Sequence, residues 1–199
     1  MRLIITRHGQ TNSNFKKIIQ NFDSELSEDG ILQAKKLAQR FRIEKIDYIF
    51  SSDLIRAVDT ANEIMKYHPN LILNKDIRIR ERSFGSLEGT SSSGIDWNNP
   101  PKEFEQNDSL RNRVSEFLSD ISNRYYNKTV LVVCHTGIKN TFIKILENLN
   151  SEYNEKIKNT SVSEFILDVD GKFKSKYINC LKHLEVESEL ELNLEISNN

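Results

Sequence analysis

The chain has 199 residues, enough for one domain to bury about two thirds of its unfolded surface around a single core. Its formal net charge of −1 gives no electrostatic reason to expect a nucleic acid or an anionic membrane as partner. No run approaches the roughly 18 apolar residues of a membrane span, and residues 3–5 are too short for a signal-peptide core. Cys134 and Cys180 lack the spacing of a metal or redox pair, which favours a reducing, cytoplasmic compartment.

Segments typical of strands and of helices alternate along the chain. In chain order the pattern predicts a strand at 2–6, a helix at 28–41, a strand at 47–51, a helix at 54–65, a strand at 70–74, a helix at 110–121, a strand at 129–134 and a helix at 138–149. Alternating apolar residues at 165–169, followed by Asp170 and Gly171, predict a β-hairpin. Such alternation favours a three-layer α/β/α sandwich around a mostly parallel central sheet.

Two regions depart from this rhythm. Residues 85–109 are rich in Gly, Ser and Pro, which predicts a loop or a small cap over one end of the sheet. Residues 184–199 contain five glutamates and no lysine or arginine, so they form either an added edge strand or a solvated appendage. We therefore expect one domain over residues 1–183 and an acidic tail over 184–199.

Basic side chains follow three of the predicted strands. Arg7 and His8 end the first, Arg56 comes soon after the second, and His135 follows the strand at 129–134. Taken singly, Arg56 could be a surface charge, His135 a packed core residue, and Arg7 with His8 an exposed turn. Because ligands bind at the carboxyl ends of parallel strands, the four together predict one binding site.

The residue types in this predicted site suit a phosphate. The planar guanidinium of arginine matches phosphoryl oxygens in a bidentate way and stays charged near neutral pH. A neutral histidine ring can attack phosphorus, provided that a hydrogen bond to its other nitrogen fixes the tautomer. Gly9, directly after His8, is expected to let the backbone turn close to a ligand.

Five segments, in order, resemble the signature of the histidine phosphatase superfamily, also called the phosphoglycerate mutase-like family. They are TRHGQTNSN at 6–14, LSEDGILQAKKLA at 26–38, SSDLIRAVDTA at 51–61, RERSFGSLEG at 80–89 and VVCHTGIKN at 132–140. The resemblance covers roughly residues 2–169. It implies the phosphoglycerate mutase-like fold and a phosphoryl group carried on a histidine.

Residue by residue, the resemblance implies a role for seven positions. His8 is the nucleophile, Arg7, Arg56 and His135 clamp the phosphoryl oxygens, Asn14 and Thr136 also bind phosphate, and Glu81 is the proton donor. Phosphoryl transfer spreads charge over three oxygens, so two arginines and a protonated His135 would serve without a metal or a cofactor. The alternative for Glu81 is a structural ion pair, because Arg78, Arg80 and Arg82 flank it.

The segment between Glu81 and His135 favours a phosphatase over a mutase. Phosphoglycerate mutases resemble this chain in the core but carry a long basic insertion there, whereas here only 53 residues separate the two, with an acidic stretch at 100–109. We expect hydrolysis of small-molecule phosphate monoesters, with mutase-type transfer and a non-catalytic phospholigand-binding module as alternatives. The sequence does not identify the ester, and a homodimer is left open.

Overall fold

A computed structural model describes residues 1–96, 99–150 and 152–185. Within these ranges the strands are β1 Arg2–Arg7, β2 Tyr48–Ser51, β3 Leu73–Lys75, β4 Thr129–Cys134, β5 Val162–Leu167 and β6 Phe173–Cys180. The helices are α1 Asn12–Phe15, α2 Glu28–Phe41, α3 Ile55–Met65, α4 Asn107–Arg124, α5 Thr136–Leu146 and α6 Lys182–Glu185, with 3₁₀ turns at Ile77–Ile79 and Gly85–Leu87. None of the described helices is long and apolar enough to cross a membrane.

The sheet has the strand order β3-β2-β4-β1-β5-β6. The first four strands are parallel, whereas β5 and β6 form an antiparallel hairpin that joins the edge of β1. The predicted hairpin is therefore confirmed. In the β1–β4 register, Arg7 lies opposite Cys134, so both strands end at the same edge of the sheet.

Helices cover both faces of the sheet, as the alternating pattern predicts. On one face α2 and α3 pack through Leu37, Ala38, Phe41, Ala57, Ala61 and Ile64 against Ile4, Ile49, Leu131 and Val133. On the other face α4 and α5 pack through Val114, Phe117, Ile138, Phe142 and Ile143 against Leu3, Ile5, Val130 and Val132. Consecutive strand residues thus point alternately into two separate apolar cores, one on each face of the sheet. Burial of the apolar side chains in each core holds its helix pair against the sheet.

Some element boundaries differ from the sequence-based expectation. The strand predicted at 70–74 starts only at Leu73, because the chain still turns at His68, whose carbonyl accepts a hydrogen bond from the Leu71 N–H. Helix α5 ends at Leu146 rather than 149, since Asn148 adopts a left-handed backbone with φ 51°. Helices α1 and α6, of four residues each, are too short to show a periodic pattern.

The excursion at 85–109, in its described part at 85–96 and 99–106, leaves the sheet and contacts the chain just after α1. Backbone hydrogen bonds link Ile19 to Gly89 and Thr90, and Lys17 to Ser92. Helix α4 already begins at Asn107, three residues before its first buried residue, Leu110. For the tail predicted at 184–199, the positions from 186 onward lie outside the described residues.

Gly9, just after β1, and Gly30, in the first turn of α2, pack backbone against backbone. A Cβ on Gly30 would lie 1.9 Å from the carbonyl oxygen of Gln10, and one on Gly9 would lie 2.4 Å from the carbonyl oxygen of Gly30. Ser27 caps α2 by accepting a hydrogen bond from the Gly30 N–H at 3.1 Å. Gly9 therefore serves close packing against α2, and the expectation that it lets the backbone turn close to a ligand stays a prediction.

This contact predicts an unusual sign for a Gly→Ala substitution within a helix. Replacing a helical glycine by alanine ordinarily stabilises by about 0.5–1 kcal/mol. Gly30→Ala is expected to destabilise instead, by about 1–3 kcal/mol, because the new methyl group overlaps the Gln10 backbone. Urea unfolding measures the change, with Lys35→Ala on the exposed face of α2 as a control that stays within about 0.5 kcal/mol. A stabilised Gly30→Ala variant would contradict the close packing.

Candidate active site

His8 lies buried at the end of β1, with its N–H bonded to the carbonyl oxygen of Cys134 at 3.0 Å. Its ring Nδ1 lies 2.6 Å from the carbonyl oxygen of Gly9. Because a carbonyl only accepts, Nδ1 carries the proton and Nε2 keeps its lone pair. Burial, followed by the charges of Arg7 and Arg56, lowers the pKa of His8 well below its ordinary value. The ring is therefore a neutral, oriented base with a lone pair on Nε2.

Arg7 and Arg56 bring two guanidinium groups to the same place from β1 and α3. One terminal nitrogen of Arg7 donates to the carbonyl oxygen of Ile157 at 2.6 Å, and one of Arg56 donates to that of Asn21 at 3.0 Å. Burial is the main cause that lowers the pKa of each arginine to about 10, so both remain charged near neutral pH. The buried Nε of each has no partner within the described residues, which leaves two donors for an oxyanion.

His135 precedes the first residue of α5 and is fully buried. Its ring centroid lies 5.1 Å from that of His8, and neither ring nitrogen has a partner in the described part of the chain. Burial, followed by the charges of Arg56 and other nearby groups, lowers the pKa of His135 well below its ordinary value. In the protein alone a neutral His135 is therefore favoured, because a third buried cation beside two arginines is disfavoured, and a protonated His135 against a bound phosphoryl group stays a prediction.

Glu81 faces the start of α5. Its two carboxylate oxygens accept hydrogen bonds from the Gly137 N–H at 3.1 and 3.2 Å, which joins an acid to a helix N-terminus. A Cβ on Gly137 would lie 2.5 Å from Glu81 Oε1, so a side chain at that position would displace the carboxylate.

The side chains of the arginines next to Glu81 in the sequence bind other groups, whereas the main-chain N–H of Arg82 donates to Glu81 Oε1 at 2.9 Å. Arg78 pairs with Asp76 and Asp120, Arg80 pairs with Asp53, and Arg82 donates to Glu105 O and Asn107 Oδ1. The structural ion pair considered for Glu81 is thus not made by its sequence neighbours. Arg113 of α4 instead fixes the backbone here, by donating to the carbonyl oxygens of Arg80 and Glu81.

Asn14 and Thr136 complete the set of predicted site residues. Asn14 Oδ1 accepts hydrogen bonds from the Thr11 N–H at 3.2 Å and from Asn159 Nδ2 at 3.3 Å. Thr136 is the half-buried first residue of α5, directly after His135. Contacts and shared electrostatics thus link His8 to both arginines, His135, Glu81 and Asn14 at one edge of the sheet, and place Thr136 beside them.

Several groups at the site are missing from the sequence-based set. The carbonyl oxygens of Asn21 and Ile157 hold the arginines, and the hydroxyl of Thr60 accepts a hydrogen bond from the Gly9 N–H at 3.0 Å. Asn159 donates to the carbonyl oxygen of His8 at 3.0 Å. The main-chain carbonyls could not be predicted, because any residue type can supply one. Asn159 lies in a loop without periodicity, and its position just before β5 is the one signal in the sequence that could have indicated it.

A cavity of about 170 Å³ adjoins the charged residues. It is lined by Gln20, Asn21, Phe22, Leu54, Arg56, Arg80, Glu81, Arg82, Ser83 and Glu88. A larger cavity of about 740 Å³ lies between the outer surfaces of α2 and α3, and none of the site residues lines it. Of these two cavities, the smaller one is the one lined by predicted site residues, Arg56 and Glu81.

The chain matches the histidine phosphatase superfamily (branch 1) over residues 3–180. It is 36% identical over 151 residues to phosphoserine phosphatase 1 of Hydrogenobacter thermophilus, which spans 68% of this chain and 71% of that protein. A phosphoglycerate mutase from Bacillus anthracis str. Sterne superposes with a TM-score of 0.81 at 25% identity, covering 93% of this chain and 95% of the other. A mutant phosphoserine phosphatase from Entamoeba histolytica, in complex with phosphoserine, gives 0.79 at 26%, covering 92% and 98%. These matches confirm the predicted α/β fold.

The neutral histidines predict a loss of stability in acid. In the unfolded chain each has an ordinary pKa of about 6.5, so below that pH the unfolded state takes up protons that the folded state does not. The free energy of unfolding should fall by about 1.4 kcal/mol per pH unit for each histidine, from pH 6.5 down to the lowered pKa. Urea unfolding in phosphate-free buffer at pH 7.5 and 5.5 tests this, and His8→Gln or His135→Gln should each reduce the slope.

The protonation states of His8 and His135 can also be measured directly at their ring nitrogens. Nitrogen-15 chemical shifts of labelled histidine should show His8 and His135 neutral at both pH values, with the proton of His8 on Nδ1. An imidazolium signal from either ring at pH 7.5 would contradict this electrostatic description.

Proposed function

The chain belongs to the histidine phosphatase superfamily, and we propose on that premise that it hydrolyses phosphate monoesters through a phosphohistidine on His8. One observation carries the proposal. The Gly9 carbonyl fixes the proton of His8 on Nδ1, so the Nε2 lone pair is presented next to two buried arginines whose Nε donors have no partner within the described residues. This arrangement suits a nucleophile that attacks an anion held by fixed cations.

In the first step of the proposed reaction, the Nε2 lone pair of His8 forms a bond to phosphorus as the bond to the alcohol oxygen breaks. Glu81, entering in its protonated form, gives its proton to that oxygen, so the product leaves as a neutral alcohol. The hydrogen bond from Nδ1 to Gly9 stabilises the positive charge that the ring gains.

The clamp would bind the three phosphoryl oxygens throughout this step. Arg7 and Arg56 supply fixed charge through their free Nε donors, and His135 donates a hydrogen bond from whichever ring nitrogen carries its proton. The amide NH₂ of Asn14 and the N-terminal turn of α5 at Thr136 add neutral donors. Since these groups belong to different secondary-structure elements of one rigid sheet edge, they are oriented before the substrate arrives.

In the second step, water would attack the phosphohistidine. Glu81, now a carboxylate, takes a proton from the water, the new oxygen–phosphorus bond forms, and the electron pair of the breaking N–P bond returns to Nε2. His8 is then neutral again and inorganic phosphate is released. The same carboxylate therefore serves as acid and then as base.

The cavity favours a small metabolite as substrate. Its volume of about 170 Å³ lies below the roughly 300–1,000 Å³ usual for ligand pockets, which suits a small leaving group next to Arg56 and Glu81. Arg82 also lines this cavity and donates hydrogen bonds to neutral oxygens, so its charge, which the nearby carboxylates of Glu81 and Glu105 share, would favour an acidic group on the substrate. Phosphoserine, bound by the Entamoeba relative, meets both requirements.

Free Cys134 and Cys180 fit a cytoplasmic enzyme, and homodimer formation stays a prediction.

The covalent intermediate gives the direct test. Rapid quenching with labelled phosphoserine at neutral or alkaline pH should trap acid-labile, base-stable phosphate on His8. Excess chelator should leave the rate of labelling unchanged, because arginine charge replaces a metal in the proposed mechanism. His8→Ala should abolish labelling, and label that persists in this variant would overturn the assignment of His8.

The role of Glu81 can be isolated by comparing two leaving groups. Glu81→Gln should slow phosphorylation by an alkyl phosphate by about 10²- to 10⁴-fold, the usual contribution of a general acid. A nitrophenyl phosphate should lose much less, because its phenolate leaves without a proton. Single-turnover rates must be compared, since the second step also loses its base in this variant.

Glu103→Gln, at an exposed acid in the excursion that follows Glu81, is the matched control and should change neither rate. Equal losses on both esters would show that Glu81 only orders its surroundings. The proton donor would then have to be sought among Asp53, Glu88 and Asp96.

A further inference from the structure

Residues 159–161 form a bracket that holds the backbone of the nucleophile segment. The Thr160 N–H donates to the carbonyl oxygens of Arg7 at 3.1 Å and His8 at 3.3 Å, and the Ser161 carbonyl accepts from the Arg7 N–H at 3.4 Å. Thr160 adopts a left-handed backbone with φ 54°, which costs a β-branched residue about 1–3 kcal/mol. Such strain persists only where the surrounding contacts require it.

Asn159 extends this bracket with its side chain. Its Nδ2 donates to the carbonyl oxygen of His8 at 3.0 Å and to Asn14 Oδ1 at 3.3 Å. A carbonyl oxygen cannot donate, so the atom of Asn159 that faces His8 must be the nitrogen. One NH₂ group therefore joins the main chain of His8 to the side chain of Asn14.

These contacts fix the direction of the Asn14 amide. The Thr11 N–H and Asn159 Nδ2 are both donors, so the atom of Asn14 that faces them must be its oxygen. The Asn14 NH₂ consequently points away from both and remains available as a donor. Loss of the Asn159 donor leaves the Thr11 N–H as the remaining contact that orients the amide.

We propose that Asn159 is a positioning residue, which orients the Asn14 NH₂ toward a bound phosphoryl group while it holds the carbonyl of His8. The inference rests on the proposed phosphate site and names a residue that acts on the phosphate through Asn14, while its contact with the His8 carbonyl holds the main chain. Its effect should appear in the binding of inorganic phosphate itself, independently of turnover. Hydrogen bonds to charged groups contribute enough that their loss weakens binding by about 10- to 100-fold.

The test is a double-mutant cycle read as the dissociation constant of inorganic phosphate, measured by calorimetry. Asn14→Ala and Asn159→Ala should each weaken phosphate binding by about tenfold or more. The double variant should be no weaker than Asn14→Ala alone, because Asn159 acts on phosphate through Asn14. Asn159→Asp, which places a carboxylate against two acceptor oxygens, should weaken binding at least as much as Asn159→Ala.

The matched control is Asn154→Asp, the same substitution five residues earlier in the same loop. Asn154 Oδ1 accepts a hydrogen bond from Asn140, which an aspartate retains, so phosphate affinity should not change. Melting temperatures of all variants separate a folding defect from a binding defect. If one Asn159 variant fails to fold, the other completes the comparison.

Fully additive losses in the cycle, or unchanged phosphate affinity in Asn159→Ala, would overturn the positioning role. A wild-type protein that does not bind phosphate would overturn it as well. Coupled phosphate binding without any turnover of phosphate esters would instead contradict only the proposed hydrolysis, so the two failures are distinguishable.

Discussion

The site depends on the burial of two guanidinium charges next to imidazoles that stay neutral. Removing Arg7 and Arg56 from water is costly, and the lowered pKa of each reflects that cost. The carbonyls of Ile157 and Asn21 and the nearby charge of Glu81 offset part of it. Each Nε nevertheless remains without a partner in the described residues, so binding an oxyanion would satisfy donors that folding leaves unsatisfied.

The sheet topology brings these groups together. Parallel pairing of β1 with β4 puts Arg7 opposite Cys134, so the residues that follow, His8 and His135, leave the sheet side by side. β5 runs antiparallel to β1, and for that reason its preceding loop arrives at the edge where β1 ends. The bracket at 159–161 and the carbonyl of Ile157 come from that loop. The antiparallel hairpin therefore extends the sheet and also brings the loop before β5 to the site.

Sequence reasoning could predict what depends on periodicity and on strand ends. It located the strands that end at Arg7 and Cys134, and hence the clustering of His8, Arg56 and His135, because parallel strands share an edge. It could not predict the protonation of His135, since depth of burial next to two arginines is a property of the packed structure. The sequence did not predict a role for Asn159 either, because a single polar residue in an aperiodic loop looks the same in sequence whether it faces solvent or a site.

Lys139 is a further buried basic residue near the site whose pKa is lowered by burial. It is fully buried on α5, its Nζ donates to the Ser161 carbonyl at 2.6 Å and to the Ser161 hydroxyl at 2.9 Å, and burial lowers its pKa to about 7. Groups around the arginines that can give up a proton, including His8 and His135, are therefore neutral or partly so. Arg7 and Arg56 keep their full charge near neutral pH, which places positive charge where an anion would bind. By linkage, a bound dianion must favour proton uptake by these neighbours, so anion binding and protonation are coupled through one buried cluster.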